Sequence, residues 1–148
     1  MRGGRDIFAR QAAWTCCQCI LAAALLGCGS SSVKTYSVKG KVDVKDGEVS
    51  LLAGSHVELM QENEPEIRPN GKIEPGGGFS VQTQHQGKIV AGAPAGKYKV
   101  RIVLADASEE GVPKRKGDPI HKRFFDFETS GLSITVPSGH YTISVSKK

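Results

Sequence analysis

The chain has 148 residues, enough for one ordinary domain. Its 18 Gly, 7 Pro and recurring short runs of Val, Ile and Thr favour many strands and turns over long helices. The formal charge is +5, but setting aside Arg2, Arg5, Asp6 and Arg10 takes the 20 basic and 15 acidic residues to 17 and 14; so small and dispersed an excess excludes a nucleic-acid-binding face, and no nucleic-acid partner is expected.

Residues 1–11 carry three arginines, residues 12–26 are mostly Ala, Leu, Ile and Cys with Thr15 and Gln18 interrupting, and "GCGSSS" follows. That is the order of a secretory signal peptide: basic segment, apolar segment, small-residue processing site. A membrane-spanning helix needs about 20 predominantly apolar residues, and this run is shorter. Cys16, Cys17, Cys19 and Cys28 all fall here, so no disulfide can staple residues 29–148. "CCQC" lacks a second ligand pair at zinc-site spacing, and no metal is expected there.

Leu25-Leu26-Gly27-Cys28 resembles a bacterial lipobox. The resemblance implies cleavage between Gly27 and Cys28, diacylglycerol on the Cys28 thiol, and an exported lipoprotein held in the cell-envelope membrane by acyl chains such as palmitate. Cysteine suits that role because its thiolate is a good nucleophile. Two or three acyl chains give a lasting anchor where one gives marginal binding. The expected organisation is a signal peptide over residues 1–27, a flexible tether over 28–35 containing "GSSSVK", and a β-domain over 36–148.

From Tyr36 onward apolar residues alternate in short runs between turn signals. Tyr36, Val38, Val42 and Val44 share one strand face, while Lys39, Lys41 and Asp43 point the other way. Asp46-Gly47 suits a tight hairpin turn. A second strand is predicted over residues 56–61 with Val57 and Leu59 inward, and a third, short one over 67–73 within polar, Pro-rich sequence. Phe79, Val81 and Thr83 mark a fourth. The clearest period of two puts Tyr98, Val100, Ile102 and Leu104 inward and Lys97, Lys99 and Arg101 toward water. Residues 106–131 form a long charged connection, uncommon in a small domain. A closing hairpin is predicted, Leu132, Ile134 and Val136 against Tyr141, Ile143 and Val145 across "PSGH". The expectation is an all-β sandwich of about seven strands, transthyretin-like or Ig-like.

"SVKGKVDVKDG", "FSVQT", "GAPAGKYKVRI" and "FETSGLSITVPSGHYTISV" resemble successive pieces of small bacterial lipoproteins with a carboxypeptidase regulatory-like, transthyretin-like domain. Gly40 to Val42, Gly92 to Val100 and Thr129 to Leu132 match that pattern. "IEPGGGF" and "LLAGSH" depart from it. The matching positions are turn and core residues, so the resemblance implies fold rather than activity. It also implies that Thr129 and Ser130 are structural, bonding the backbone before the last two strands.

No catalytic constellation is legible. "GAPAGKY" fails as a phosphate loop, because three residues rather than four separate Gly92 and Gly96, and Tyr98 stands where Ser or Thr is needed. His56, His85, His121 and His140 are scattered singly, giving no metal-ligand spacing. Ser130 and Ser138 lie outside any nucleophile elbow. No enzyme activity and no cofactor are expected. Two patches are candidate ligand contacts: Lys114, Arg115 and Lys116, which with Lys122 and Arg123 form a basic loop able to meet acidic lipid heads or polyanions, and Phe124, Phe125 and Phe127, which would either cover the core or stack on sugars or peptides. The expected role is a non-catalytic binding or structural module whose partners are membrane lipid through Cys28 and an envelope glycan or protein. The competing expectation is a carbohydrate- or peptide-binding domain using residues 106–127.

Overall fold

A computed structural model describes residues 33–148, and Val33–Lys148 forms a compact unit. The expected signal peptide, the lipidation site Cys28 and the tether through Ser32 lie outside the described residues. Thr35, assigned above to the tether, belongs to the fold, since it opens the first strand.

The architecture is a β-sandwich. Its strands are β1 (Thr35–Tyr36), β2 (Lys39–Lys45), β3 (His56–Gln61), β4 (Asn70–Lys72), β5 (Gly78–Ser80), β6 (Gln82–His85), β7 (Lys88–Ala91), β8 (Ala93–Pro94), β9 (Gly96–Val103), β10 (Leu132–Val136) and β11 (Tyr141–Ser146), with 3-10 helices at Val49–Leu52 and Lys122–Phe125. One layer is a six-stranded sheet in the order β10-β9-β3-β4-β6-β7, the other a three-stranded sheet β11-β2-β5, and β1 pairs separately with β8. The described chain thus has eleven strands rather than about seven. The difference arises because the first and fourth predicted strands each split in two, and β7 and β8 are additional. In β7, Lys88, Ile89 and Ala91 are exposed, so it lacks the alternation that marks a half-buried strand.

The split at Val81 joins the layers. β5 pairs with β2 in one sheet and β6 with β4 and β7 in the other. Between them the Val81 N–H donates to the Val38 carbonyl, and the Val81 carbonyl accepts from Gly92 N–H. The predicted closing hairpin is also corrected. β10 runs antiparallel to β9, whereas β11 runs parallel to β2, so the Pro137–His140 stretch crosses between layers instead of turning back on one. Each of these strands has one apolar face, and each sheet had a free edge to extend; pairing them with one another would have left both edges open. The Asp46-Gly47 turn likewise leads into the first 3-10 helix and across to the other sheet, not into a hairpin.

The core lies between the sheets. Val57 and Leu59 of β3 and Tyr98, Val100 and Ile102 of β9 are fully buried against Val38 just before β2, Val42 of β2, and Ile143 and Val145 of β11. Because β2 pairs Gly40 with both Tyr141 and Phe79, a Cβ at position 40 would collide with the Tyr141 carbonyl and the Phe79 ring. Gly92 holds φ +87° under the Tyr36 carbonyl, a conformation other residues rarely adopt. The Tyr98 hydroxyl donates to the Pro94 carbonyl at 2.9 Å, and Thr83 Oγ1 to the Gly92 carbonyl at 2.6 Å. These bonds satisfy polar groups inside the sandwich that would otherwise carry a desolvation cost.

Candidate functional site

The charged connection between β9 and β10 is built in two parts. In the first, Ser108 N–H and Oγ both donate to Asp106 Oδ1, at 2.9 and 2.8 Å; these bonds, from the backbone first and the hydroxyl second, hold the Asp106 carboxyl below the usual carboxylate range. Arg115, one of the three basic candidates, is turned inward. Its guanidinium donates to the Ala105 carbonyl and, at 3.5 Å, to Ser55 Oγ, while Ser55 Oγ accepts from Ala105 N–H at 3.2 Å. Lys114 and Lys116 are exposed, but Arg115 is committed to pinning the loop.

The second part carries the aromatics. Phe124 is 2% exposed and Phe127 9%, and the half-buried Phe125 packs against the core. Phe124 lies in the main cluster, with the Arg123 guanidinium 4.5 Å from its ring centroid. Phe127 is covered by Arg101 at 4.6 Å and Arg68 at 5.7 Å. Their faces are occupied by the protein itself, so the stacking surface anticipated from "RFFDF" is corrected to core cover. Thr129 Oγ1 donates to the Arg123 carbonyl at 2.7 Å; Ser130 Oγ donates to the Val100 carbonyl at 2.6 Å and accepts from Leu132 N–H at 3.2 Å. These bonds lash the segment to the edge of β9 beyond the end of β10.

The same segment compensates charge on the outer face of the six-stranded sheet. Register sets Glu58 beside Arg101, and one carboxylate oxygen accepts from Arg101 Nε at 2.7 Å and Nη2 at 2.6 Å. Arg68 approaches the other oxygen at 3.9 Å, and Lys99 pairs with Glu128 at 2.8 Å. Glu58, Arg68, Arg101, Lys99 and Glu128 pair among themselves, while Lys72 and Lys97 on the same sheet are exposed and in no ion pair among the described residues.

A cleft of about 550 Å³ opens where the tip of the connection meets β3 and β4. His56, Asn70, Lys72, Glu74, Gln82 and Glu110 supply its polar lining. Gly54 and Val112 form a wall on the loop side. Of these, Glu110 and Val112 fall within the 106–127 loop that the sequence offered as a binding segment, and the strand residues were not singled out as a binding site. His56, Lys72 and Gln82 come from three strands and meet through the register His56↔Lys72 and Asn70↔Gln82. Each was visible only as a polar residue in a strand or turn, with no local signal of convergence. Among the described residues, no three His, Cys, Asp or Glu gather as a metal site, and no helix is long and apolar enough to cross a membrane.

The outer face of the three-stranded sheet differs. Lys39, Lys41, Asp43 and Lys45 alternate outward along β2, all exposed. Register sets Thr142, Ser144 and Ser146 beside Lys41, Asp43 and Lys45 on one flank, and Ser80 beside Lys39 on the other. Among the described residues the ion pairs are the three named above, and none involves a β2 lysine.

Comparison with family models, curated proteins and solved structures finds no match.

Proposed function

We propose that this is an exported lipoprotein, anchored in the bacterial envelope membrane through acylated Cys28, whose β-sandwich acts without catalysis as a binding or structural module. The observation that carries the reading is the order of the first 28 residues: arginines, an apolar run, and Leu25-Leu26-Gly27-Cys28, which resembles a lipobox. Support comes from the start of the compact unit at Val33, which leaves a short Gly/Ser segment between the acceptor cysteine and the fold. The resemblance to carboxypeptidase regulatory-like, transthyretin-like lipoproteins is compatible with the β-sandwich, and we retain it as part of the proposal. The test is metabolic labelling with a palmitate analogue in a bacterial host. The wild-type chain is expected to take the label and Cys28→Ser to lose it entirely. A wild type that takes no label contradicts the reading.

A second reading, a carbohydrate- or peptide-binding domain, is favoured by the cleft. Its volume of about 550 Å³ lies within the ordinary range for small-ligand sites. The loop contributes through Glu110, Gly111 and Val112 rather than through its aromatics. Glycan and peptide arrays test it. Binding that Lys72→Ala and Glu110→Ala abolish supports it, and binding that both leave intact rejects the cleft.

A further inference from the structure

We propose that the outer face of the three-stranded sheet docks on an anionic lipid surface. The proposal rests on the lipid-anchor reading for how the domain comes to lie near a bilayer, while the docking face is read from the fold. Strand alternation makes Lys39, Lys41 and Lys45 neighbours on one side of β2, and parallel pairing with β11 lines them with Thr142 and Ser146 hydroxyls. From Lys39 to Lys45 the row is roughly 20 Å long at strand rise, enough to meet several lipid headgroups at once. Asp43 interrupts it with one opposing charge, leaving the strand face net positive.

The backbones of two further exposed lysines lie near the Lys45 end: Lys147 N–H donates to the Lys45 carbonyl at 3.4 Å, and His121 N–H, next to Lys122, donates to the Ser146 carbonyl at 2.8 Å. None of these lysines takes part in an ion pair among the described residues; on the opposite sheet Lys99 and Arg101 do, and Lys72 and Lys97 do not. The face is polar throughout, which suits headgroups and gives an apolar partner nothing to bury.

Chain length supplies the second argument. Five peptide steps separate Cys28 from Val33, at most roughly 18 Å of reach, and Lys39 follows six residues later. An anchored acyl group therefore keeps the lysines at high effective concentration over the headgroups. The loop lysines Lys114 and Lys116 are a poorer choice, since Arg115 between them is turned inward and leaves two cations where β2 presents three.

The experiment uses the compact unit, residues 33–148, so its outcome does not depend on Cys28. Circular dichroism checks that each variant is folded. Co-sedimentation with vesicles of phosphatidylcholine containing about one-third phosphatidylglycerol is compared with pure phosphatidylcholine. The expected result is binding about 10- to 30-fold tighter to the anionic vesicles, lost in 0.5 M salt. It should also be lost in the Lys39→Glu, Lys41→Glu, Lys45→Glu variant and kept in Lys88→Glu, Lys97→Glu, which alters the other sheet. Equal binding to both vesicles, retention in the β2 variant, equal loss in the other-sheet variant, or binding to soluble polyphosphate without vesicle binding would each overturn it. A folding failure of the triple variant is met by Lys41→Glu alone, expected to weaken binding several-fold. Absence of palmitate label on Cys28 would sink the anchor and leave this measurement standing.

Discussion

On the six-stranded sheet, Glu58 holds Arg101 and approaches Arg68, both arginines cover Phe127, and Lys99 is paired with Glu128. On the three-stranded sheet, Lys39, Lys41 and Lys45 stand among hydroxyls with no carboxylate paired to them among the described residues. Both faces arise from the same strand alternation, polar residues at every second position. The difference is that register and the 122–131 segment bring partners to Lys99 and Arg101 on the one, leaving Lys72 and Lys97 unpaired there, and to no lysine on the other among the described residues. A face whose charges are internally satisfied serves the fold, and its disruption should register as lost stability. Unsatisfied charges contribute little to folding and remain available to an external partner.

The largest break in that contrast should come from the strap on the six-stranded side. Phe124→Ala removes a buried ring from the core, and unfolding in urea should show a loss of about 3–5 kcal/mol. Next, Glu58→Ala strands two arginines at a carboxylate site that is 16% exposed. A loss of about 1.5–3 kcal/mol is expected, and a double-mutant cycle with Arg101→Ala should show strong coupling. By contrast, changing Lys39, Lys41 and Lys45 together to Gln should shift stability by less than about 0.5 kcal/mol per site. A large loss there would mean that the lysines serve the fold, erasing the distinction between the faces.

The strand carrying Lys99 and Arg101 outward carries Tyr98 inward, and that side gives a test by pH. Burial first, and the Glu64 charge second, push the Tyr98 phenol from 10.0 up to about 12. Between those values the unfolded chain releases the proton while the folded chain keeps it. Stability should therefore fall as pH rises from 10 toward 12, by up to about 1.4 kcal/mol per unit. Tyr98→Phe is expected to start lower, having lost the bond to Pro94, but to lack this slope in alkaline unfolding curves. An unchanged slope would show that Tyr98 is not the titrating group.

Much of the strand layout could be read locally. His56–Gln61 has the predicted bounds with Val57 and Leu59 inward, and Tyr98, Val100 and Ile102 form the buried face of β9. Phe79, Val81 and Thr83 are buried as their alternation requires, although Val81 sits between sheets. Alternation reports which way a side chain points; it does not report which strand lies alongside. That is why β10 and β11, apolar on one face and close in sequence, look like a hairpin and yet join different layers.

The same limit governs the sites. Lys39 and Lys41 were legible as solvent-facing, but whether a carboxylate reaches them depends on pairings with β5 and β11 that only the fold supplies. The cleft beside His56 and Lys72 needs β3, β4, β6 and the loop tip at once. "RFFDF" stayed open between core cover and stacking for a related reason. A short aromatic run in a loop carries no periodicity to separate a ligand platform from core cover, and Phe124 and Phe127 are buried.

Intact mass spectrometry of the chain extracted from bacterial membranes tests the anchoring most directly. The expected mass is that of a chain beginning at Cys28 and carrying diacylglycerol, with or without a third acyl group. A chain beginning at Met1, or one beginning elsewhere with an unmodified Cys28, would contradict it.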